Sequence, residues 1–172
     1  MPLRTFVDGE SPSAADFNRY FMQQIMIRKL VTESVSLNAT AQPDNELFCT
    51  VNAGETYFVN MFLLYDGLAA ADIEVSFTGP AGATFDYVSD GVIQSAAATI
   101  DRLSRTHQVL TTSFPTGGCF GVGTSVAMLL KGILIVDTTP GTFQFNWSQF
   151  VSNATATRVL ADSVMMLRRL TD

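Results

Sequence analysis

From residue 30 onward, apolar and polar side chains alternate with a period of two, which is the pattern of strands that bury one face. The alternation is clearest over 72–77 and 143–148. Gly, Pro, Asn and Asp interrupt the chain at intervals that suit about eight to ten short strands. The pattern predicts a mainly β chain whose residues 30–172 form an antiparallel β-sandwich of jelly-roll type. Only 92–105, rich in Ala and Ser, is predicted to be a long loop or a short helical excursion.

Two predicted strands are apolar on both faces. They cover 57–65, where Asn60 is the exception, and 127–136, where Lys131 is. A strand of this kind needs cover on both sides, and a sandwich core covers only one. We therefore expect a second subunit on the other side, in a homotrimer or another close oligomer. The candidate interface residues are Phe58, Phe62, Leu64, Leu129, Ile133 and Ile135.

A helical pattern precedes the strands. Ser13 can cap a helix, and Asp16 places a negative charge in its first turn. An apolar stripe that repeats every fourth residue follows, which predicts a short amphipathic α-helix within an N-terminal segment, 1–29. So short a helix must bury its stripe to be stable, so we interpret 1–29 as an attachment segment, and its removal should leave a folded β-domain. The candidate docking residues are Phe6, Phe17, Tyr20, Phe21, Met22 and Ile25.

The two ends of the chain carry a resemblance. The runs SAADFN at 13–18 and FMQQ at 21–24, followed by 140–149, 152–157 and 163–170, are similar in order to the minor tail or tail-fibre proteins of tailed bacteriophages that infect actinobacteria. The resemblance implies a structural protein of a virion, made in the host cytoplasm. The resemblance alone does not say which part of the virion this is. Together with the two doubly apolar strands, it favours a homotrimeric minor tail component, at the tail tip or in a fibre, that other virion proteins hold through the N-terminal helix.

Two alternatives stay open. One is a capsid decoration or head-fibre protein, which differs only in its place on the particle. The other is a module that binds a receptor or carbohydrate for host adsorption, in which exposed aromatics such as Tyr87 or Phe114 would contact a cell-wall glycan.

Composition favours association and disfavours nucleic acid as a partner. The chain is 47% hydrophobic and 15% charged, against a usual charged share of about 25%. Its net charge is −6, whereas phosphate binding needs clustered Lys and Arg. No Lys or Arg lies between Leu30 and Asp101, and the basic residues gather at the two ends. This distribution is typical of a solvated acidic surface. The alternative is that the basic end of the protein is complementary in charge to a neighbouring virion subunit.

Several common chemistries are disfavoured. Cys49 and Cys119 form no disulfide framework, and with one histidine there is no zinc set, so both are predicted to be buried apolar residues. The glycine-rich run 117–124 lacks the residues of a phosphate loop and is predicted to be a tight strand connection. His107 lacks a nucleophile motif and is predicted to be a surface or interface residue. The longest apolar run, 126–136, is too short to span a membrane.

Two acidic pairs, Asp44 with Glu46 and Asp72 with Glu74, could bind calcium or act in glycoside cleavage. The dense oxygen-rich loop that calcium prefers is absent, and nothing indicates a cleft, so neither activity is favoured. We expect no enzyme activity, no metal and no cofactor.

Overall fold

The computed structural model describes residues 7–11, 13, 24–93, 102–112 and 114–170, and every regular element in them is a β-strand. The strands are β1 (Gln24–Arg28), β2 (Glu33–Val35), β3 (Gln42–Val51), β4 (Thr56–Gly67), β5 (Ile73–Thr78), β6 (Thr84–Ile93), β7 (Arg102–Val109), β8 (Phe114–Gly117), β9 (Gly121–Ile135), β10 (Gly141–Gln149), β11 (Thr157–Val159) and β12 (Val164–Leu170). Within the described residues, no helix is long and apolar enough to cross a membrane.

The strands form two antiparallel sheets. The large sheet has the order β1-β12-β4-β9-β6-β7, and β11 pairs with both β4 and β2 beside it. The small sheet has the order β3-β10-β5-β8. From β3 to β10 the chain changes sheet at every connection except β6 to β7, which is the connectivity of a jelly roll. The architecture is consistent with the predicted antiparallel sandwich.

The core lies between the two sheets and is rich in aromatic rings. Phe77 of the small sheet packs edge-on against Phe85 of the large sheet, with ring centroids 5.1 Å apart, and stacks on Phe143 at 5.2 Å. The residues that the alternation predicted to face inward in β5 and β10 are fully buried: Ile73, Val75, Phe77, Phe143, Phe145 and Trp147. The polar residues Ser76, Asn146 and Ser148 between them are buried as well. Gly132 of β9 allows a close approach of β6, since a Cβ there would lie 2.3 Å from the carbonyl oxygen of Asp86.

The predicted N-terminal helix is wrong where the structure describes it. Ile25, which we had placed on the helical stripe, lies in strand β1 with Met26, and no helix occurs among the described residues. Ile25 and Ile27 pack against the core, while Met26 is exposed. The five residues Gln24–Arg28 fit both the period of two of a strand and an apolar stripe that repeats every fourth residue in a helix. The strand forms because β12 offers an edge with which these residues can make backbone hydrogen bonds. The remainder of the predicted helix lies outside the described residues.

Strand β1 is joined to the sandwich along its whole length. It pairs with β12 from Gln24 opposite Arg168 to Arg28 opposite Val164. The pairing continues into Lys29, whose backbone N–H donates to the carbonyl of Ser163 at 2.8 Å. The expected boundary between segment 1–29 and domain 30–172 therefore falls directly after chain that is hydrogen-bonded to β12.

The segment 92–105 is partly corrected. We had predicted a long loop or a helical excursion, but its first two residues end β6 and its last four begin β7, which are paired as a hairpin. The Ala- and Ser-rich middle, 94–101, lies outside the described residues. Of the glycine-rich run 117–124, predicted to be a tight strand connection, only 118–120 connects β8 to β9; Gly117 ends β8, and 121–124 begin β9.

Candidate functional site

An exposed apolar surface lies on the side of the large sheet that faces away from the small sheet; we call it the outer face. Six strands run side by side across it, and alternate residues of each point outward. Cross-strand pairing arranges these residues in rows from β1 to β7. The middle row is Met26, Met166, Asn60, Lys131, Val88 and His107. One flanking row is Arg28, Val164, Phe62, Leu129, Asp90 and Arg105, and the other is Gln24, Arg168, Phe58, Ile133, Asp86 and Val109.

The six candidate interface residues all lie on the outer face. In β4, Phe62 is 41% exposed, and Phe58 and Leu64 are half-buried. In β9 the exposed fractions are 37% for Leu129, 37% for Ile133 and 49% for Ile135. Direct cross-strand pairs join Phe58 to Ile133 and Phe62 to Leu129. The structure therefore brings the candidates together in one apolar strip, because β4 and β9 are neighbours.

We did not predict the part of this surface that β1 and β12 contribute. Met26 is exposed, and Val164 and Met166 are half-buried beside it. The sequence carries a signal for a strand in Gln24–Arg28, where Gln24, Met26 and Arg28 alternate with two isoleucines. The helical assignment of that segment hid the alternation. The apolar strip is consequently wider than the two strands from which we inferred it.

The charges on the outer face are unevenly distributed. Asp90 accepts from Arg105 at 2.6 Å, Asp86 contacts His107 at 3.0 Å, and Arg28 pairs with Asp162. In the described part of the chain, neither Lys131 nor Arg168 has an ion-pair partner, although both are exposed on this face. The acids of the rows lie on β6, whereas Arg168 lies three strands away on β12. Two acids therefore lie on the β6 side of the face, each beside a base of β7, and Arg168 lies without an ion-pair partner in the described chain on the β12 side.

A shallow hollow of about 120 Å³ lies between Lys131 and the Asp90–Arg105 pair. Val88 and Leu129 complete its lining. An apolar floor with charged walls can receive a side chain from another molecule. The hollow contains no arrangement of nucleophile, base and orienting group of the kind that catalysis needs.

A buried ion cluster occupies one of the acidic pairs that we had considered for calcium. Lys29 is fully buried, and its Nζ donates to both carboxylate oxygens of Asp44, at 2.9 and 2.8 Å, and to Glu33 at 3.1 Å. Glu46 lies 3.7 Å from the same Nζ. Backbone N–H groups of Val31 and Leu30 donate to Glu46 and lower the pKa of its carboxyl. An ammonium group thus holds the position that a cation would need.

The two acids of the second pair, Asp72 and Glu74, have different surroundings. Asp72, in a left-handed conformation at φ 49°, accepts the backbone N–H of Cys119 at 2.9 Å, and burial raises the pKa of its carboxyl. Glu74 lies on β5 opposite Ser148. In the residues that the structure describes, no group of three or more His, Cys, Asp or Glu side chains could hold a metal ion.

Tyr87, a candidate for glycan stacking, is in the core. It is 1% exposed and stacks on Phe85 with ring centroids 4.8 Å apart, so the prediction that it is an exposed aromatic is wrong. Successive side chains of β6 point to opposite faces of the sheet. Because Asp86 and Asp90 point outward, Tyr87 points into the core. Phe114 begins β8, and its side chain is outside the described part. His107 is exposed on β7, as predicted.

Both cysteines are buried and unpaired, as predicted. Burial raises the pKa of each thiol, Cys49 and Cys119, to about 12. Neither thiol is therefore a reactive group at neutral pH.

Of the candidate docking residues, only Ile25 lies in the described chain, and it packs against the core from β1. The others lie outside the described residues: Phe6, Phe17, Tyr20, Phe21 and Met22.

Comparisons with known proteins give limited information. No family model matches the chain, and no curated protein matches it. Among solved structures, the chain is similar to one from the infectious bursal disease virus Gt strain, with 10% identity and a TM-score of 0.21 over 99% of this chain and 45% of that one. It is also similar to the infectious bursal disease virus VP2 subviral particle, with 9% identity and a TM-score of 0.24 over 100% and 46%. The chain spans less than half of either structure, and TM-scores this low do not establish a shared fold.

Proposed function

We propose that this chain is a non-enzymatic structural protein of a virion whose β-domain associates with other copies through the outer face. One observation carries the proposal: an apolar strip continues over β1, β12, β4 and β9 on a face that nothing in the described chain covers. Contiguous exposed apolar surface of this extent is typical of interaction sites.

The finer assignment is a minor tail component, at the tail tip or in a fibre, of a phage that infects actinobacteria. Its support is the similarity of 13–24 and of the three C-terminal runs to that group of proteins. Jelly rolls are common in viral structural proteins, but they also serve many unrelated functions. A capsid decoration or head-fibre role differs from this proposal only in location. The sequence predicts a homotrimer or another close oligomer, and the number of copies is itself a prediction.

The N-terminal segment supplies the attachment in this proposal. Gln24, the first residue of β1, pairs with Arg168, so β1 begins at the end of the sheet where β12 ends. Arg168 is exposed at this end of β12, whereas Arg169 pairs with Glu55 at 2.8 Å.

Truncation tests the attachment role. Deleting residues 1–23 removes the proposed docking residues before β1 while keeping β1 and Lys29, which belong to the sandwich. We expect the truncated chain to remain folded by circular dichroism and to be absent from purified particles by quantitative mass spectrometry.

Deletion of residues 1–29 is the comparison, because it also removes β1 and Lys29 and should destabilise the domain itself. If the chain lacking 1–23 is incorporated as well as the full-length chain, the attachment role is wrong. If the full-length chain is absent from particles, the virion proposal is wrong.

The alternative of a carbohydrate-binding module loses one of its two aromatic candidates, because Tyr87 is buried. No specific observation favours it over the structural role.

A further inference from the structure

Charge and shape on the outer face limit how a second copy can cover it. The two central strands of the outer face are β4 and β9. The acids lie on β6, which is the neighbour of β9, and Arg168 lies on β12, which is the neighbour of β4 on the opposite side. The face is thus nearly symmetric in its apolar centre, with the acids of β6 on one side and Arg168 on the other. A copy that exchanges left and right would place Asp86 over Arg168 and Arg168 over Asp86.

We propose that a second copy of this chain packs on the outer face about a twofold axis that runs parallel to the strands, between β4 and β9. This inference rests on the proposed self-association and specifies its geometry. The rotation places β9 over β4 of the second copy and β6 over its β12. By row, Leu129 lies over Phe62, and Ile133 over Phe58, of the second copy. Lys131 lies over Asn60, and Asp86 over Arg168, of the second copy.

The pairing gives the free cations of the face a polar partner. Arg168, which has no ion-pair partner in the described chain, meets Asp86, whose second carboxylate oxygen is not used by His107. Lys131 meets the side-chain amide oxygen of Asn60 beside the shallow hollow. Because the contact is isologous, each pair occurs twice.

The other simple twofold axis, across the strands at the middle row, is unfavourable. It would place Lys131 over Lys131 and Asp86 over Asp90 of the second copy. Like charges brought together in an interface cost several kcal/mol. The axis parallel to the strands also places Arg105 over Arg28 of the second copy, but each of these arginines is paired with an acid of its own chain, Asp90 and Asp162. Of the two axes, it is the one that brings an unpaired cation onto an acid.

The area and the twist are compatible with a stable contact. Six strands about 4.8 Å apart and about eight residues long cover roughly 750 Å² on each copy, close to the roughly 800 Å² per partner of a standard interface. Twisted sheets pack with their strands at an angle of about −30° to one another. At this angle, two facing residues that lie about 7 Å from the axis are displaced from each other by roughly 4 Å, a distance that an arginine side chain can span.

Charge reversal tests the arrangement. We expect the full-length protein to be a dimer by sedimentation equilibrium. Asp86→Arg and Arg168→Asp should each raise the dissociation constant by about 100-fold, because each change acts twice. The double variant, which exchanges the two charges, should return to within about fivefold of the original. Asp137→Arg, an exposed acid in the loop after β9, is the control and should have no effect.

Circular dichroism confirms that each variant is folded, and the recovery in the double variant separates lost pairing from lost folding. A trimer or a monomer, or a double variant as weak as the single ones, would overturn the twofold arrangement. Neither result bears on the virion proposal, which the presence of the chain in purified particles tests separately.

Discussion

The buried ion cluster allows a quantitative prediction about stability. The side chains of Lys29 and Asp44 are 1% and 0% exposed, and they are 2.8 Å apart. Lys29→Met keeps most of the side-chain volume but removes the ammonium group, which leaves the Asp44 carboxylate buried without its cation. Removing one partner of a buried ion pair costs about 3–5 kcal/mol.

Two contacts moderate this cost. The backbone N–H groups of Glu46 and Leu47 both donate to Asp44 Oδ1 at 2.9 Å, so the carboxylate keeps part of its solvation. Glu33 and Glu46 also lose the ammonium group, but both side chains are partly exposed to water. We therefore expect Lys29→Met to lower the free energy of unfolding by about 3 kcal/mol, near the lower end of that range. With a urea m-value of about 2 kcal/mol/M, the midpoint should fall by roughly 1.5 M.

The neighbouring residue supplies a matched control. Arg28 also pairs with an acid, Asp162, but their side chains are 64% and 61% exposed. Exposed pairs contribute about 0–1 kcal/mol, so Arg28→Met should change the midpoint little. In the double variant Lys29→Met, Asp44→Asn, the amide oxygen can still accept the two backbone N–H groups, and more than half of the lost stability should return. A Lys29→Met midpoint equal to that of Arg28→Met would refute the reasoning.

Three further predictions concern the surface, the acid limb and the thiols. Phe62→Asp should give a monomer or an aggregate in light scattering, since it places a charge in the apolar strip; an unchanged assembly would exclude Phe62 from the contact. Burial opposes ionisation of Asp66, but hydrogen bonds from Arg158 and the Gly123 amide outweigh it and lower the pKa of this carboxyl below its ordinary 3.8. This contribution to stability is present above 3.8 and lost as the pH falls further, so Asp66→Asn should flatten the acid limb of the urea midpoint plotted against pH. Iodoacetamide at neutral pH should modify Cys49 and Cys119 only after unfolding, since burial raises both pKa values to about 12; mass spectrometry of the native protein checks this.

The strand pattern and the apolar strip were predictable because they depend on alternation within single strands. Phe62 and Ile133 were predicted as interface residues because their strands are apolar on both faces, and the structure places both on the outer face. The width of that surface was not predictable. Met26 and Val164 reach it only because β1 and β12 extend the sheet beside β4.

The errors occurred where two local interpretations fit the same residues. The five residues of β1 suit a helical stripe and a strand equally well, and pairing with β12 decides between them. Asp44 and Glu46 suit a cation site as well as an ion pair, and Lys29 arrives from a distant strand end to occupy it. Tyr87 could be an exposed platform or a core ring until its strand is placed in a sheet.

The sequence by itself determined the β class, the inward aromatic residues of β5 and β10, and the excess of apolar residues over what one core can hold, because these follow from local periodicity and composition. Tertiary structure alone decided which apolar residues share a surface, which acids meet which bases, and that the chain from Gln24 onward belongs to the sandwich. The physical reason is that strand pairing joins residues far apart in the chain, and no local pattern specifies the partner of an edge.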